Sequence, residues 1–114
     1  MKFDMHLHSH YSADSMADLN SICKNIKKKG LTGFALTDHD TCSGWREASA
    51  TAKKHGVELI RGVEVNACDS EGFEAGHVLC LFLEEPVKSL YYFDLFDDVH
   101  DQGGIISIAH PFDW

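Results

Sequence analysis

The 114-residue chain lacks any run approaching the ~18 consecutive apolar residues of a membrane span, and its opening, MKFDMHLH, has no apolar core of the kind a secretion signal carries. A soluble, cytoplasmic protein with no membrane partner is therefore the expectation. No two of its four cysteines, Cys23, Cys42, Cys68 and Cys80, have C-x-x-C spacing. That argues against a zinc knuckle or a disulfide framework and for reduced thiols. Positive charge is scarce too: 10 basic residues face 18 acidic ones, for a formal net charge of −8. Such a charge repels nucleic acid and anionic lipid at long range, so a polyanionic substrate would need local positive charge, which bound divalent ions would supply. What is present is ordinary for a globular domain, with 44% hydrophobic and 25% charged residues. The length suits one domain over residues 1–114 with one core.

Hydrophobic period places the elements. KFDMHLH alternates as a half-buried strand does, and a polar loop, SHYSADSMAD, follows it. Asp18 suits the cap of a helix in which Leu19, Ile22 and Ile26 keep helical spacing, lysines fill the last turn and Gly30 is the stop. GFALTDHD reads as a second strand, GWREASATAKKHG as a second helix, VELIRGVEVN as a third strand and HVLCLFL as a fourth. Pro86 suits the first turn of a long helix running to about Gln102, stopped by Gly103 and Gly104, and IISIAHP is the fifth strand. Strands alternating with helices predict an α/β fold built of βα units around a mostly parallel sheet. In such sheets the ligand site lies at the carboxyl ends of the strands.

The histidines and carboxylates follow that rule. His6 and His8 end strand one on a shared face, since residues two apart on a strand point the same way, and His10 joins them only if the strand runs on. Alone, the pair fits either a metal grip or a polar strand face. His39 and Asp40 follow strand two, Glu64 comes near the end of strand three and His110 ends strand five. His77 begins its strand, which fits the same site if strand four runs antiparallel or the preceding loop carries it across. Asp38 and Asp40 also suit turn capping. Glu64 sits among apolar neighbours, where a carboxylate is costly unless paired or bound to a cation. His55 and His100 lie on helix faces near charged residues, where solvation or a helix-end contact explains them. Arg61 is a candidate phosphate contact or a surface arginine.

HLHSHYSADS, LTDHD, GVEVN, GHVL and AHP occur here in the order and spacing of the polymerase and histidinol phosphatase (PHP) family, and the chain most resembles its stand-alone metal-dependent phosphoesterases. The resemblance implies a distorted (β/α)7 barrel with up to three metal ions in its mouth. By position, His6 and His8 resemble first-metal ligands and Glu64 a carboxylate bridging the first and second ions. His77 and His110 resemble second-metal ligands, and Asp14 and His39 third-metal ligands. Glu64, His39 and Asp38 form the expected catalytic set, Asp38 in a supporting part, while His10 falls at a variable position. Zinc or manganese, with iron also compatible, suits imidazole and carboxylate donors. A carboxylate bridging two ions acidifies a shared water, and that hydroxide is the expected nucleophile. The implied reaction is hydrolysis of a phosphate mono- or diester in a small phosphorylated metabolite, a nucleotide or a nucleic-acid end. A non-catalytic metal-binding or subunit-contact module is the alternative, and an amide hydrolase of another barrel family is disfavoured because nothing resembles its carboxylated lysine.

Family members continue past A-H-P and carry a late D-x-H pair, whereas this sequence reaches Trp114 without one. A closed β/α barrel takes ~200 residues or more. The expectation is thus an incomplete barrel of about five strands, first of all as a piece of a longer chain; the alternatives are a short product in a homo-oligomer that covers the open edge of strand five, or a partner that supplies the missing strands.

Overall fold

Asp18 opens helix α1 (Leu19–Lys28) by accepting a 2.8 Å hydrogen bond from the Ser21 backbone N–H, one of the first-turn donors that no helical carbonyl reaches. Leu19, Ile22, Cys23 and Ile26 form its buried stripe. Helix α2 (Trp45–His55) is held by buried Trp45, Ala48 and Ala52 and stops at Gly56, whose φ of 71° is the left-handed conformation that ends helices. The computed structural model describes residues 2–7, 9 and 18–110, with His6, Ala109 and His110 described by their backbone alone.

Five strands form one sheet in sequence order: β1 (Phe3–Leu7), β2 (Gly33–Leu36), β3 (Glu58–Cys68), β4 (Glu74–Leu81) and β5 (Ile105–His110). The first three pair in parallel. β4 runs antiparallel to β3, and β5 antiparallel to β4, so β5 regains the direction of the first three. The result is α/β, with the sheet curled into a five-strand half-barrel, as the incomplete-barrel reading expects. Parallel strands need crossovers, which α1 and α2 supply, whereas β3 and β4 are joined by a short hairpin.

The third helix departs from expectation. α3 spans Tyr92–Asp101 instead of beginning near Pro86. The backbone N–H groups of Glu84 and Glu85 both donate to Gln102 Oε1, at 2.9 and 3.0 Å, and that of Lys88 donates to Asp98 Oδ2 at 3.0 Å. Side chains at the end of α3 thus accept from backbone N–H groups on either side of Pro86 and hold this segment to the helix as a strap.

Strand alternation divides the sheet. On the outer face Phe34, Leu36, Val63, Val65, Val78 and Cys80 pack against Leu19, Ile22, Ile26, Ala48, Ala52, Leu95 and Val99. The concave face has a much smaller apolar cluster of Ala35, Leu79 and Leu81, with Met5 and Ile60 against it. β2 and β3 approach so closely at Gly33 that an added Cβ would lie 2.2 Å from the Glu58 carbonyl oxygen.

Candidate metal centre

Beyond Leu36 the backbone of the chain still holds β3, at one residue. Glu64 N–H donates to Asp38 O at 3.0 Å, and Asp40 N–H donates to Glu64 O at 2.9 Å. His39 is thereby bridged in parallel to Glu64. On the other side Glu64 pairs with Leu79, and His77, two residues before Leu79, shares its face. The reversal of β4 is what places the start of that strand at the carboxyl end of β3. His77 therefore joins the site by the antiparallel route.

The side chains converge on one oxygen. Glu64 Oε2 lies 3.0 Å from His77 Nδ1 and 3.3 Å from His39 Nδ1, and the three potential ligand atoms fall within 4.8 Å of one another. The two rings stand edge to face with centroids 5.8 Å apart. Glu64 is 0% exposed, while the His39 and His77 side chains keep 26% and 31% of their surface. A carboxylate so deeply buried is costly unless hydrogen-bonded or bound to a cation. Two imidazole nitrogens and a carboxylate oxygen form a donor set suited to zinc, manganese or iron. The residues therefore fit a divalent ion, with the two nitrogens turned to the same point as the buried oxygen.

Asp38 faces elsewhere. It is buried, and its carboxylate accepts hydrogen bonds from the Ser9 backbone N–H and, at 2.7 Å, from Ser9 Oγ. It ties the segment after β1 to the end of β2, a supporting part. Asp40 is exposed, has a φ of 53°, and accepts from Asn66 N–H at 2.8 Å, so it braces its loop against β3 instead of capping its own turn. Arg61 lies 5.8 Å over the Trp45 ring on the helix-covered side of β3, three residues before Glu64, so it is placed as a surface cation and not as a phosphate contact. His55 Nε2 lies 3.0 Å from Asn20 Oδ1, joining the end of α2 to α1, and His100 is exposed in the last turn of α3. His8, His10 and Asp14 lie outside the described residues, as do the side chains of His6 and His110. The backbone of His110 pairs with that of His77, and Leu7 pairs with Leu36 just before His39, so β1 and β5 reach the same end of the sheet.

Sequence reasoning passed over two residues. Ser9 follows the H-x-H pair and is the partner of Asp38. Glu74 Oε1 lies 3.4 Å from His77 Nε2, and the one trace of it in the sequence is a carboxylate three residues before a histidine with Gly76 between.

The molecule is an α/β half-barrel that gathers two imidazoles around a buried carboxylate at its strand ends, a cluster able to hold a metal ion. Residues 4–102 match the PHP domain, and the chain belongs to that family. It is 32% identical to an uncharacterized protein of Methanocaldococcus jannaschii, over 98% of this chain and 68% of that one. It is also 32% identical to the phosphoribosyl 1,2-cyclic phosphate 1,2-diphosphodiesterase of Eggerthella lenta, over 76% of this chain and 33% of the relative. Its fold matches the crystal structure of a two-domain protein from Bacteroides vulgatus containing a predicted PHP-like metal-dependent phosphoesterase. That match has a TM-score of 0.77 and 24% identity, and covers 93% of this chain and 34% of the other. The chain thus spans about a third of the length of the last two. Among the described residues no helix is long and apolar enough to cross a membrane.

Proposed function

We propose that the chain carries the metal-holding strand ends of a phosphoesterase that hydrolyses phosphate mono- or diesters in small phosphorylated metabolites, nucleotides or nucleic-acid ends. The convergence of His39 Nδ1 and His77 Nδ1 on the fully buried Glu64 oxygen carries the reading. When bound, a divalent ion supplies Lewis acidity toward phosphate oxygens and lowers the pKa of water. Glu64 contributes the anionic donor, kept out of bulk water so that its charge acts at short range. His39, just beyond β2, and His77 on β4 contribute ring nitrogens, and both side chains are part-exposed. Asp38 holds Ser9, between the positions of His8 and His10, against the end of β2. Membership of the PHP family and the diphosphodiesterase relative support the ester class.

The test is metal content per chain by plasma mass spectrometry, followed by hydrolysis of a nitrophenyl phosphate ester with and without chelator. Two or more zinc, manganese or iron ions per chain, turnover abolished by chelator, and a loss of about 100-fold or more in Glu64→Gln are expected. A Glu64→Gln protein as active as the parent would overturn the proposal.

A second reading rests on β5. Its Ile105 and Ile108 are 55% and 59% exposed, and among the described residues β5 is an edge strand, which invites another chain. On this reading the chain is a metal-holding contact module that self-associates without turnover. Gel filtration together with the same assay separates the two, since turnover that tracks metal content excludes a purely structural role.

A further inference from the structure

The register of β3 with β4 slips near the metal cluster. Ala67 pairs with Gly76 and Cys68 with Glu74, so Ala75 is an extra residue on β4. On a regular strand, residues three apart point to opposite faces. One inserted residue cancels that opposition and turns Glu74 to the side of His77, as β-bulges beside functional sites do. Gly76 sits at the slip with a φ of 135°, a conformation that side chains rarely adopt. The His77 ring consequently lies between two carboxylates, with Nδ1 3.0 Å from Glu64 Oε2 and Nε2 3.4 Å from Glu74 Oε1.

The two carboxylates differ in setting. Glu64 is 0% exposed and shares its oxygen with His39, whereas the Glu74 side chain is 55% exposed at the rim. We infer that Glu74 is a positioning residue for His77: its carboxylate accepts a hydrogen bond from Nε2–H, which keeps the proton on Nε2 and leaves the Nδ1 lone pair for the ion held by Glu64 and His39. An imidazole exposes a lone pair on one nitrogen when the other carries the proton, and a carboxylate at the protonated nitrogen fixes both tautomer and ring orientation. This role rests on the metal-site reading above and extends it to a residue outside the donor set. The bulge is its structural cause, since with Ala75 paired in regular register the Glu74 carboxylate would face away from His77.

The test is zinc affinity of the whole chain, measured by competition with a chromophoric chelator for the parent, Glu74→Ala, Glu74→Gln and Glu64→Gln, with folding followed by circular dichroism. Glu74→Ala is expected to weaken zinc binding by about 10- to 100-fold with an unchanged dichroism spectrum. Glu74→Gln is expected to recover part of that loss, because its amide oxygen still accepts from Nε2. Glu74→Ala binding zinc within about twofold of the parent, while Glu64→Gln loses it, overturns the positioning role and leaves the metal site standing. A parent that takes up no zinc, manganese or iron overturns both.

Discussion

Val63, Glu64 and Val65 are consecutive on β3 and at most 1% exposed, yet they serve opposite faces of the sheet. The two valines enter the large apolar core beneath the helices, and the glutamate enters the concave side, where two histidines meet it. Equal burial therefore hides unequal energetics. Each valine gains from leaving water, on the order of 1.5–3 kcal/mol, whereas Glu64 gives up hydration that protein groups must replace. The outer face holds the fold together, and the inner face gives up some of that stability to bury a carboxylate.

The division breaks most visibly if a change on one face alters the property assigned to the other. Phe34→Ala empties a fully buried outer position and is expected to cost about 3–5 kcal/mol in urea unfolding, with zinc affinity of the folded protein unchanged. Glu64→Leu is expected to do the reverse. Metal uptake is lost, while stability measured in chelator holds or rises by up to about 1–4 kcal/mol, because a buried charge has been removed and His39 and His77 can turn to water. A strongly destabilised Glu64→Leu protein would show that the carboxylate supports the fold and would erase the contrast. Asp38→Ala should cost about 1–3 kcal/mol by leaving the buried N–H and hydroxyl of Ser9 without their acceptor, a loss seen in thermal denaturation.

The smallest effect sharpens the comparison from the outer side. Burial, with smaller contributions from Cys42 and Asp98, pushes the Cys80 thiol up to about 12; burial and Asp38 push Cys42 up to about 11, against an ordinary value of 9.0. Between those limits the unfolded chain has lost protons that the folded chain keeps. Stability from these thiols is thus complete below about pH 9 and falls as pH rises through the folded values. Unfolding free energy measured from pH 8 to 10.5 should decline, and the slope should flatten in Cys80→Ala.

Much of the architecture was legible. The stripe of Leu19, Ile22 and Ile26, the Asp18 cap and the apolar β2 announce themselves by period and terminal chemistry. The helix expected from Pro86 begins instead at Tyr92, and the backbone before it is claimed by Asp98 and Gln102, 10 to 18 residues downstream of the groups they accept from. Such long-range competition leaves no local signal. His39 and Glu64 were readable as polar residues at strand ends, whereas the place of His77 turned on the direction of β4, which two alternatives left open. Glu74 was hidden for a sharper reason: ordinary strand parity puts it on the wrong face, and a bulge is invisible until both strands are paired.

The sequence by itself determined which residues are apolar, at what period they recur and which polar side chains interrupt them near strand ends, because these are properties of a chain and its neighbours along the chain. Tertiary structure alone decided that positions 39, 64 and 77 share one point in space, that Asp38 turns to Ser9 while His39 turns to Glu64, and that Glu74 reaches His77. Alternation assigns a side chain to a face, but strand direction, register and a single inserted residue assign its partners, and those are fixed only when the packed core selects one pairing of the strands.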